Sequence, residues 1–386
     1  MTRHQFALRT SWMLAAALIV TLSGALSGCA GGKKWGAASP AVAEIKQAGK
    51  VAALWKQSVG SSAGAAFSAV FDDGAVFAAD ADGTLTRVNA QTGKEAWRIE
   101  TKQKLSGGVG VGSGLVLVGT PKGEVLAFNE AGKALWRAQV SSEVLSPPQA
   151  DDDIVVVRTL DGRVFGLNAD DGKRKWVYQR TIPSLTVRSF AGVLLGRGAV
   201  FAGFAGGKLA AINLANGNVG WEATVAQPRG ATELERITDV TSLPVMDGRQ
   251  VCAVAYQGRI ACFDVINGAL LWAREVTSNA GLAMDADFIY VSDDRGAVVA
   301  LNKNNGEQAW KQDQLGGGKL SAPFVYGDYV VVGDHQGNLF FLKYQNGTLA
   351  SRVDTDGGAI LARPEALPQG FVVQTSKGGI YAFDVQ

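Results

Sequence analysis

The chain has 386 residues, of which 47% are hydrophobic and 19% are charged. This composition is typical of a packed globular protein and excludes a disordered or polybasic chain, and with it a nucleic-acid-binding protein. The 37 Lys and Arg residues nearly balance the 35 Asp and Glu residues, so no long-range attraction of a charged partner is expected.

The N-terminal segment has the pattern of an export signal. Arg3 and Arg9 precede an apolar run from Trp12 to Val20, which is too short to span a bilayer as a mature helix. The residues "LSGC", which end at Cys29, resemble the bacterial lipoprotein box, in which the cysteine becomes the lipidated first residue of the mature protein.

We therefore expect residues 1–28 to be a cleaved lipoprotein signal peptide and residues 29–50 to be a lipidated Cys29 followed by a flexible tether. The alternative is an ordinary signal peptide with an incidental cysteine. Ala30, rather than Asp, follows the cysteine. By resemblance to sorted lipoproteins, this favours an outer-membrane location in which the lipid anchor alone enters the membrane and the protein faces the periplasm.

From residue 51 onward the chain repeats a unit of about forty residues. Each unit reads as a small-residue segment, a β-branched run, an alternating strand after a Gly turn, and a Trp-bearing strand after an Asn-x-x-x-Gly turn. The glycine of the first turn recurs at Gly83, Gly123, Gly162, Gly207, Gly258, Gly296, Gly337 and Gly378. The repeat predicts an all-β protein, an eight-bladed β-propeller of four-stranded antiparallel blades over residues 51–386. Seven blades or two separate sheets are the alternatives.

The tryptophans predict how the ring closes. Units one to six each end in a strand with an indole, whereas unit seven has Ser351 and unit eight stops at Gln386 before its fourth strand. The segment "AALWKQSVG" supplies the missing strand, so the N-terminal strand is expected to complete the last blade. Each indole can wedge between neighbouring blades while its N–H finds a backbone acceptor; the residues are Trp55, Trp97, Trp136, Trp176, Trp221, Trp272 and Trp310.

The segment "ALNKNNGEQAW" resembles the quinoprotein propeller repeat, Ala-x-Asn/Asp-x-x-x-Gly-x-x-x-Trp. Two families share this repeat: the pyrroloquinoline-quinone dehydrogenases and the non-catalytic BamB outer-membrane lipoproteins. The lipoprotein box and the segments "WKQSVG", "PSLTVRS" and "TELERITDV" resemble the BamB family. The resemblance implies a scaffold subunit of the machinery that folds and inserts outer-membrane β-barrels. It would bind the periplasmic domains of BamA directly and the other assembly lipoproteins indirectly.

The resemblance also implies which residues contact BamA. They are Leu185, Val187 and Arg188 in "LTVR" and Asp239 in "TDVT". Val187 and Thr241 depart from the family pattern, where Leu and a second acid are expected.

The spacing of the repeats points to the same region. The two longest intervals between repeat glycines, 45 and 51 residues, bracket the fourth repeat. Both gain their length after the Trp strand, so two enlarged loops are expected side by side on one face. Their mixed charges and aliphatic residues are typical of a modest protein interface, to which Arg236 is assigned as well. The alternative is that both are solvated loops without a partner.

Few groups remain for catalysis. His335 is the only histidine outside the signal segment and lies in the turn "GDHQGN", which argues against a triad or a histidine metal site. The acidic stretches at Asp80 and Asp151 lack the closing Glu of a calcium loop and are expected to be turns. We expect no catalytic residue, cofactor or metal. The alternative functions are a pyrroloquinoline-quinone-dependent periplasmic dehydrogenase and a scaffold of some other envelope complex.

Two further expectations concern single strands. Cys252 and Cys262 lie on neighbouring strands of one hairpin, where either a disulfide or two buried thiols are compatible with the sequence. The outermost strand of any blade has an open edge, to which an unfolded outer-membrane protein could add as an extended strand.

Overall fold

The computed structural model describes residues 51–385, which form thirty-two β-strands arranged in eight sheets. Every sheet has four antiparallel strands and forms one blade of a ring. The predicted eight-bladed propeller is therefore confirmed, and the alternatives of seven blades or two separate sheets are wrong. The expected signal peptide, Cys29 and tether lie outside the described residues. Within residues 51–385, no helix has the length and apolar character needed to cross a membrane.

The first four blades follow one another along the chain, and each runs from its innermost strand to its outermost strand. Blade 1 comprises β2 Val70–Asp72, β3 Ala75–Ala79, β4 Thr84–Asn89 and β5 Glu95–Glu100; blade 2 comprises β6 Gly107–Gly112, β7 Leu115–Gly119, β8 Glu124–Asn129 and β9 Ala134–Gln139; blade 3 comprises β10 Gln149–Asp151, β11 Ile154–Arg158, β12 Arg163–Asn168 and β13 Arg174–Gln179; blade 4 comprises β14 Val193–Gly196, β15 Ala199–Phe204, β16 Lys208–Asn213 and β17 Val219–Thr224.

The other four blades complete the ring, and the last of them takes its outermost strand from the start of the described chain. Blade 5 comprises β18 Val245–Met246, β19 Gln250–Val254, β20 Ile260–Asp264 and β21 Leu270–Arg274; blade 6 comprises β22 Gly281–Met284, β23 Phe288–Ser292, β24 Val298–Asn302 and β25 Gln308–Gln312; blade 7 comprises β26 Phe324–Tyr326, β27 Tyr329–Gly333, β28 Asn338–Lys343 and β29 Leu349–Asp354; blade 8 comprises β30 Glu365–Ala366, β31 Phe371–Gln374, β32 Gly379–Val385 and β1 Val51–Ser58.

Burial within a blade follows from its position between two neighbours. The second strands, such as β3, are buried along their whole length because other blades cover both of their faces. The outermost strands, such as β5, alternate between exposed and partly buried residues. Eight apolar clusters result, and each joins residues of two adjacent blades.

Indoles connect seven of the eight blades to the next one. In all seven cases the indole N–H donates to a backbone carbonyl of the following blade, at distances of 2.7–3.2 Å. Trp55, for example, donates to the oxygen of Ala90 at 2.8 Å and packs on the turn that contains Gly93. A Cβ at Gly93 would lie 2.7 Å from the Trp55 ring, and the residue has φ +67°, so glycine is required there for two reasons.

The ring closes through β1. This strand pairs antiparallel with β32, so that Trp55 lies opposite Ala382 and Lys56 lies opposite Tyr381. Blade 8 is thereby complete, and its core continues into blade 1. The prediction that the N-terminal strand completes the last blade is confirmed.

Strand direction gives the ring two distinct faces. The turns between second and third strands and the blade-to-blade connections share one face, since Thr101 N donates to Gly83 O at 2.8 Å and Val225 N donates to Gly207 O at 2.8 Å. We call this the connection face. The opposite side, which carries the turns between third and fourth strands, is called the turn face.

Blade 5 contains a covalent link between its two central strands. Cys252 of β19 lies directly opposite Cys262 of β20, and the two form a disulfide. Of the two states that the sequence left open, the structure therefore has the disulfide.

Candidate functional site

Two long connections meet on the connection face on either side of blade 4. Residues 180–192 link blades 3 and 4, and residues 225–244 link blades 4 and 5; they are the longest of the eight connections. The two loops are in direct contact, because Val187 N donates to Asp239 Oδ2 at 2.7 Å. The structure thus places the enlarged loops side by side on one face.

Asp239 is the residue that holds this region together. Its second carboxylate oxygen, Oδ1, accepts a hydrogen bond from Gly206 N at 3.0 Å, in the turn of blade 4. Its backbone forms a β-bridge with Tyr256 of blade 5, whose N donates to Asp239 O at 2.8 Å. The sequence assigned Asp239 to the partner contact, but the residue is only 3% exposed. In this structure it positions the two loops rather than forming part of their outer surface.

A partly buried cation lies beneath the loops. The guanidinium of Arg158, at the end of β11, donates to Ala191 O at 3.0 Å and lies over the ring of Phe204 at 5.5 Å from its centroid. Burial lowers the pKa of Arg158 to about 10, while the charge of Asp239 acts in the opposite direction. Arg158 therefore remains protonated at neutral pH and supplies the positive charge that accompanies the buried Asp239.

The longer loop contains a single helical turn with its own cap. Glu235 Oε2 accepts from Ala231 N and Thr232 N at 2.8 and 3.0 Å, and Thr232 Oγ1 accepts from Glu235 N at 3.2 Å. This reciprocal pattern is a capping box, and the sequence "TELE" carries its signature. The backbone hydrogen bonds hold the pKa of Glu235 below its usual value. Arg236 N then donates to Thr232 O at 3.1 Å, which closes the turn.

Blade 5 supports this turn from below. In the amide orientation that satisfies both of its polar atoms, Gln257 donates to Leu234 O at 3.2 Å and to Ile237 O at 3.0 Å. The turn is therefore fixed at both ends, and its outward side chains have defined positions. Leu234 is 68% exposed at its tip.

The outer surface of the two loops combines apolar and basic side chains. Leu185 is 43% exposed, and the Arg188 side chain is 61% exposed with an ion pair to Glu143 at 3.5 Å. Arg236 is exposed on the helical turn, and Val187 is partly buried under the loop. We call the set formed by Leu185, Arg188, Leu234 and Arg236 the paired-loop surface.

Leu234 was not among the residues that the sequence assigned to the contact. Its signal was the position of a leucine inside a capping box, within a loop longer than the scaffold needs. Thr241, where the family pattern predicts an acid, is 5% exposed, so the departure at this position changes the interior of the loop rather than its surface.

The acidic stretches form turns and ion pairs. Asp80 Oδ1 accepts from Gly83 N and Thr84 N, both at 2.8 Å. Asp153 forms an ion pair with Lys175, and His335 lies in an exposed turn of blade 7. Across residues 51–385, no three His, Cys, Asp or Glu side chains converge in a way that could hold a metal ion.

Comparison with known sequences identifies relatives over most of the chain. The sequence model of the family described as outer membrane protein assembly factor BamB matches residues 42–105, 81–312 and 294–386. The protein of that name from Nitrosomonas eutropha is 51% identical over 334 residues, which cover 86% of this chain and 82% of the relative. The protein of the same name from Bordetella pertussis is 43% identical over 278 residues, 72% of each chain.

Solved structures give the same result for the fold. The crystal structure of BamB from Moraxella catarrhalis superposes with a TM-score of 0.80 at 27% identity and covers 87% of this chain and all of the other. The quinohemoprotein alcohol dehydrogenase from Comamonas testosteroni superposes with a TM-score of 0.69 at 12% identity, covering 86% of this chain and 76% of the enzyme. At that identity, the likeness to the dehydrogenase concerns the fold alone.

Proposed function

The chain belongs to the outer membrane protein assembly factor BamB family, and from this premise we propose that it is a non-catalytic scaffold in the assembly of outer-membrane proteins. Family membership rests on the match over nearly the whole propeller and on 51% identity to a named relative. The outer membrane, on its periplasmic side, is accordingly its place of action.

The paired-loop surface is the part of the molecule that we assign to partner binding, and the periplasmic domains of BamA are the partner. The observation that carries this assignment is the hydrogen bond between Val187 N and Asp239 Oδ2, which joins two enlarged loops into one surface. A capped turn and a buried carboxylate preorganise the surface, so little conformational entropy is lost on binding. The exposed Leu185 and Leu234 next to Arg188 and Arg236 fit an interface with an apolar centre and a charged rim.

The direction of β1 is consistent with a lipid anchor at Cys29. Val51 pairs with Val385, at the end of β32, so the chain enters the ring at the turn face. The paired-loop surface lies on the opposite, connection face of the ring. Binding of the other assembly lipoproteins would then be indirect, through BamA.

A dehydrogenase function has less support than the scaffold function. The dehydrogenases that share the fold are 11–12% identical to this chain, whereas the named assembly factors reach 51%. The residues that this chain shares with the quinoprotein repeat have structural roles, in turns and in indole packing between blades.

Capture of BamA by the full-length, membrane-extracted protein tests the assignment. Leu185→Ala combined with Arg188→Ala should abolish co-purification of BamA, because it removes an exposed apolar contact and a cation from the centre of the surface. Exposed substitutions of this kind change the free energy of unfolding by about 0.5 kcal/mol or less, so the melting temperature should stay close to that of the unaltered protein.

The chain offers a closely matched control on another blade. Leu135 is 47% exposed, and Arg137, with a side chain 54% exposed, forms an ion pair with Glu124 at 3.2 Å. Leu135→Ala combined with Arg137→Ala should leave the capture unchanged. Normal capture by the folded Leu185/Arg188 variant, or equal loss in both variants, would refute the assigned surface.

A further inference from the structure

We propose that the outer edge of blade 5 binds an extended apolar segment of an unfolded polypeptide, which adds to β21 as a fifth strand. The inference rests on the proposed function and concerns a second surface, distinct from the paired-loop surface. It begins with a group of apolar side chains at the rim of this blade. Ile266 is 74% exposed, Leu270 is 52% exposed and Leu271 is 37% exposed.

The patch extends to the neighbouring blade on the turn face. Val219, the first residue of β17 in blade 4, is 46% exposed. Trp221, two residues further along that strand, donates its indole N–H to Val265 O at 3.2 Å. Since Val265 directly precedes Ile266, the exposed side chains of the two blades belong to one rim, on the side of the ring opposite the paired-loop surface.

Charge is low at this part of the rim. The third-to-fourth-strand turns of blades 4 and 5 read "NLANGN" and "DVINGA", with Asp264 as their only charged residue. The Asp264 carboxylate accepts hydrogen bonds from Ile266 N and Asn267 N at 2.9 and 3.1 Å, so it is engaged within its own turn. The corresponding turn of blade 3, "NADDGKRK", carries several charges. The patch therefore suits an uncharged, apolar ligand.

The backbone of β21 provides the second part of the site. β21 is the outermost strand of its sheet, so one row of its backbone groups has no strand partner in the described chain. Charged side chains usually protect such an edge; β5 begins with Glu95, and β13 begins with Arg174 and Lys175. β21 begins instead with two leucines. Its one charge, on Arg274, is directed to blade 6, where Nη2 donates to Asn305 O at 2.8 Å.

A disulfide and an indole hydrogen bond hold β21 and the strands next to it in place. The disulfide ties β19 to β20, and Cys262 lies opposite Trp272 of β21. The indole of Trp272 in turn donates to Lys303 O of blade 6 at 2.9 Å. An edge that is already held in place loses less entropy when a strand is added to it.

The apolar rim and the open backbone edge of β21 together indicate which ligand binds there. An open strand edge binds an extended backbone. The apolar side chains beside it favour a ligand with apolar side chains on one side of that backbone. Strands of outer-membrane barrels have this character, because apolar residues alternate with polar ones along them. A phospholipid surface is less suited, since lipid has no extended row of backbone groups to pair with the open edge of β21.

Binding of a labelled peptide to the full-length protein tests the proposal. The probe is a fluorescein-labelled peptide of about ten residues in which Leu and Val alternate with Thr and Gln, the length of one barrel strand. Leu270→Lys combined with Leu271→Lys should weaken its binding by about tenfold or more, because it places charge on an apolar edge. Gln308→Lys with Ala309→Lys, at the equivalent positions of blade 6, should change the affinity by about twofold or less.

Two further binding measurements distinguish a peptide ligand from a lipid ligand. The same peptide with alternate backbone nitrogens methylated should bind at least about tenfold more weakly, because one row of strand hydrogen bonds is blocked. Equal binding of the methylated peptide, or equal binding by the Leu270/Leu271 variant, would overturn the proposal. So would capture of phosphatidylethanolamine–phosphatidylglycerol vesicles that depends on these leucines while the peptide fails to bind.

The result of the peptide-binding test can be distinguished from the result of the BamA-capture test. The Leu185/Arg188 variant should bind the peptide with unchanged affinity, because the two surfaces lie on opposite faces. Loss of BamA capture without loss of peptide binding, and the reverse in the Leu270/Leu271 variant, is the result that we expect.

Discussion

Asp239 is an acidic residue whose carboxylate is satisfied almost entirely by backbone N–H groups from two different segments. Val187 N and Gly206 N donate to its two oxygens at 2.7 and 3.0 Å, and the partly buried Arg158 supplies a compensating charge. Hydrogen bonds to a charged group are stronger than neutral ones. One side chain therefore determines how two long loops lie against each other.

Removing this carboxylate should loosen the shorter loop without unfolding the ring. Asp239→Ala should lower the free energy of unfolding by about 1.5–3 kcal/mol, the usual contribution of a hydrogen bond to a charged group. Amide hydrogen exchange should increase at Val187 and Gly206 but not at the outer strand of blade 2. Unchanged exchange at Val187 would show that the loop is held by other contacts.

Glu222 connects the start of the shorter loop to blade 4 and makes this contact sensitive to pH. Tyr178 Oη donates to its carboxylate at 2.6 Å, and Arg180 Nη1 donates at 2.5 Å. These hydrogen bonds hold the pKa of Glu222 below its usual value, against the effect of desolvation. Burial, assisted by Glu222, raises the pKa of Tyr178 to about 12, so the phenol remains a donor at neutral pH.

Because the pKa of Glu222 is lowered by folding, its contribution to stability is present above the ordinary pKa of a glutamate, about 4.3. The contribution is lost as the pH falls through the lower folded value. Urea unfolding of Glu222→Gln should therefore show a weaker loss of stability than the unaltered protein when the pH is lowered from 5 to 3. The difference should be small, because the carboxylate is partly exposed to solvent. Parallel pH profiles of the two proteins would contradict the assignment.

At this scale the sequence could predict part of the loop surface, whose role in partner binding remains a proposal. Leu185 and Arg188 were assigned to the partner contact because the segment resembles a known family and the loop is longer than the repeat requires. The interior position of Asp239 could not be predicted, since it depends on contact with Val187, 52 residues away. Leu234 could have been identified, because "TELE" is a local capping signal that needs no tertiary information.

Among the elements, the outer strand of blade 7 is the exception to the repeat. Every indole packs on the third-to-fourth-strand turn of the next blade, but blade 8 has no such turn, because its fourth strand comes from β1. Ser351 occupies the indole position of blade 7. It is 1% exposed, and its hydroxyl has no hydrogen-bond partner within the described chain. The missing tryptophan is thus explained by the missing turn.

Introducing the tryptophan of the repeat at position 351 should destabilise the protein. Ser351→Trp should cost about 1–3 kcal/mol in urea unfolding, because the indole would enter a filled core and find no turn to pack on. Trp310→Ala in blade 6 should cost about 3–5 kcal/mol, since it removes an indole that does have a turn. Ser351→Ala, which removes only the unpartnered hydroxyl, should be nearly neutral. A stabilising Ser351→Trp would refute this explanation.

The repeat predicted strand order well and strand register poorly. Alternation and turn residues were sufficient to place the four strands of each blade. The register shift that precedes every indole, such as the one between Ala300 and Leu301, was not predicted. A bulge inserts one extra residue into a strand, and the repeat did not show where that residue lies. The same lack of register left the state of Cys252 and Cys262 open.

For the molecule as a whole, closure by β1 has a consequence for orientation. The chain enters at blade 8 on the turn face, whereas the paired-loop surface flanks blade 4 on the connection face. In a ring of eight, blades 4 and 8 are opposite each other. The point where the described chain enters the ring and the paired-loop surface are therefore on opposite blades and opposite faces. The count of blades and the closing strand were predictable from Trp55 and Ser351, and the contact between the loops was not.

Site-specific photocrosslinking in intact cells tests the central claim, which is that the paired-loop surface contacts the assembly machinery. A photoreactive residue at position 234 should crosslink to the periplasmic domains of BamA, while one at position 135, an exposed leucine on the outer strand of blade 2, should not. Crosslinks to BamA from position 135 but not from position 234 would contradict the account.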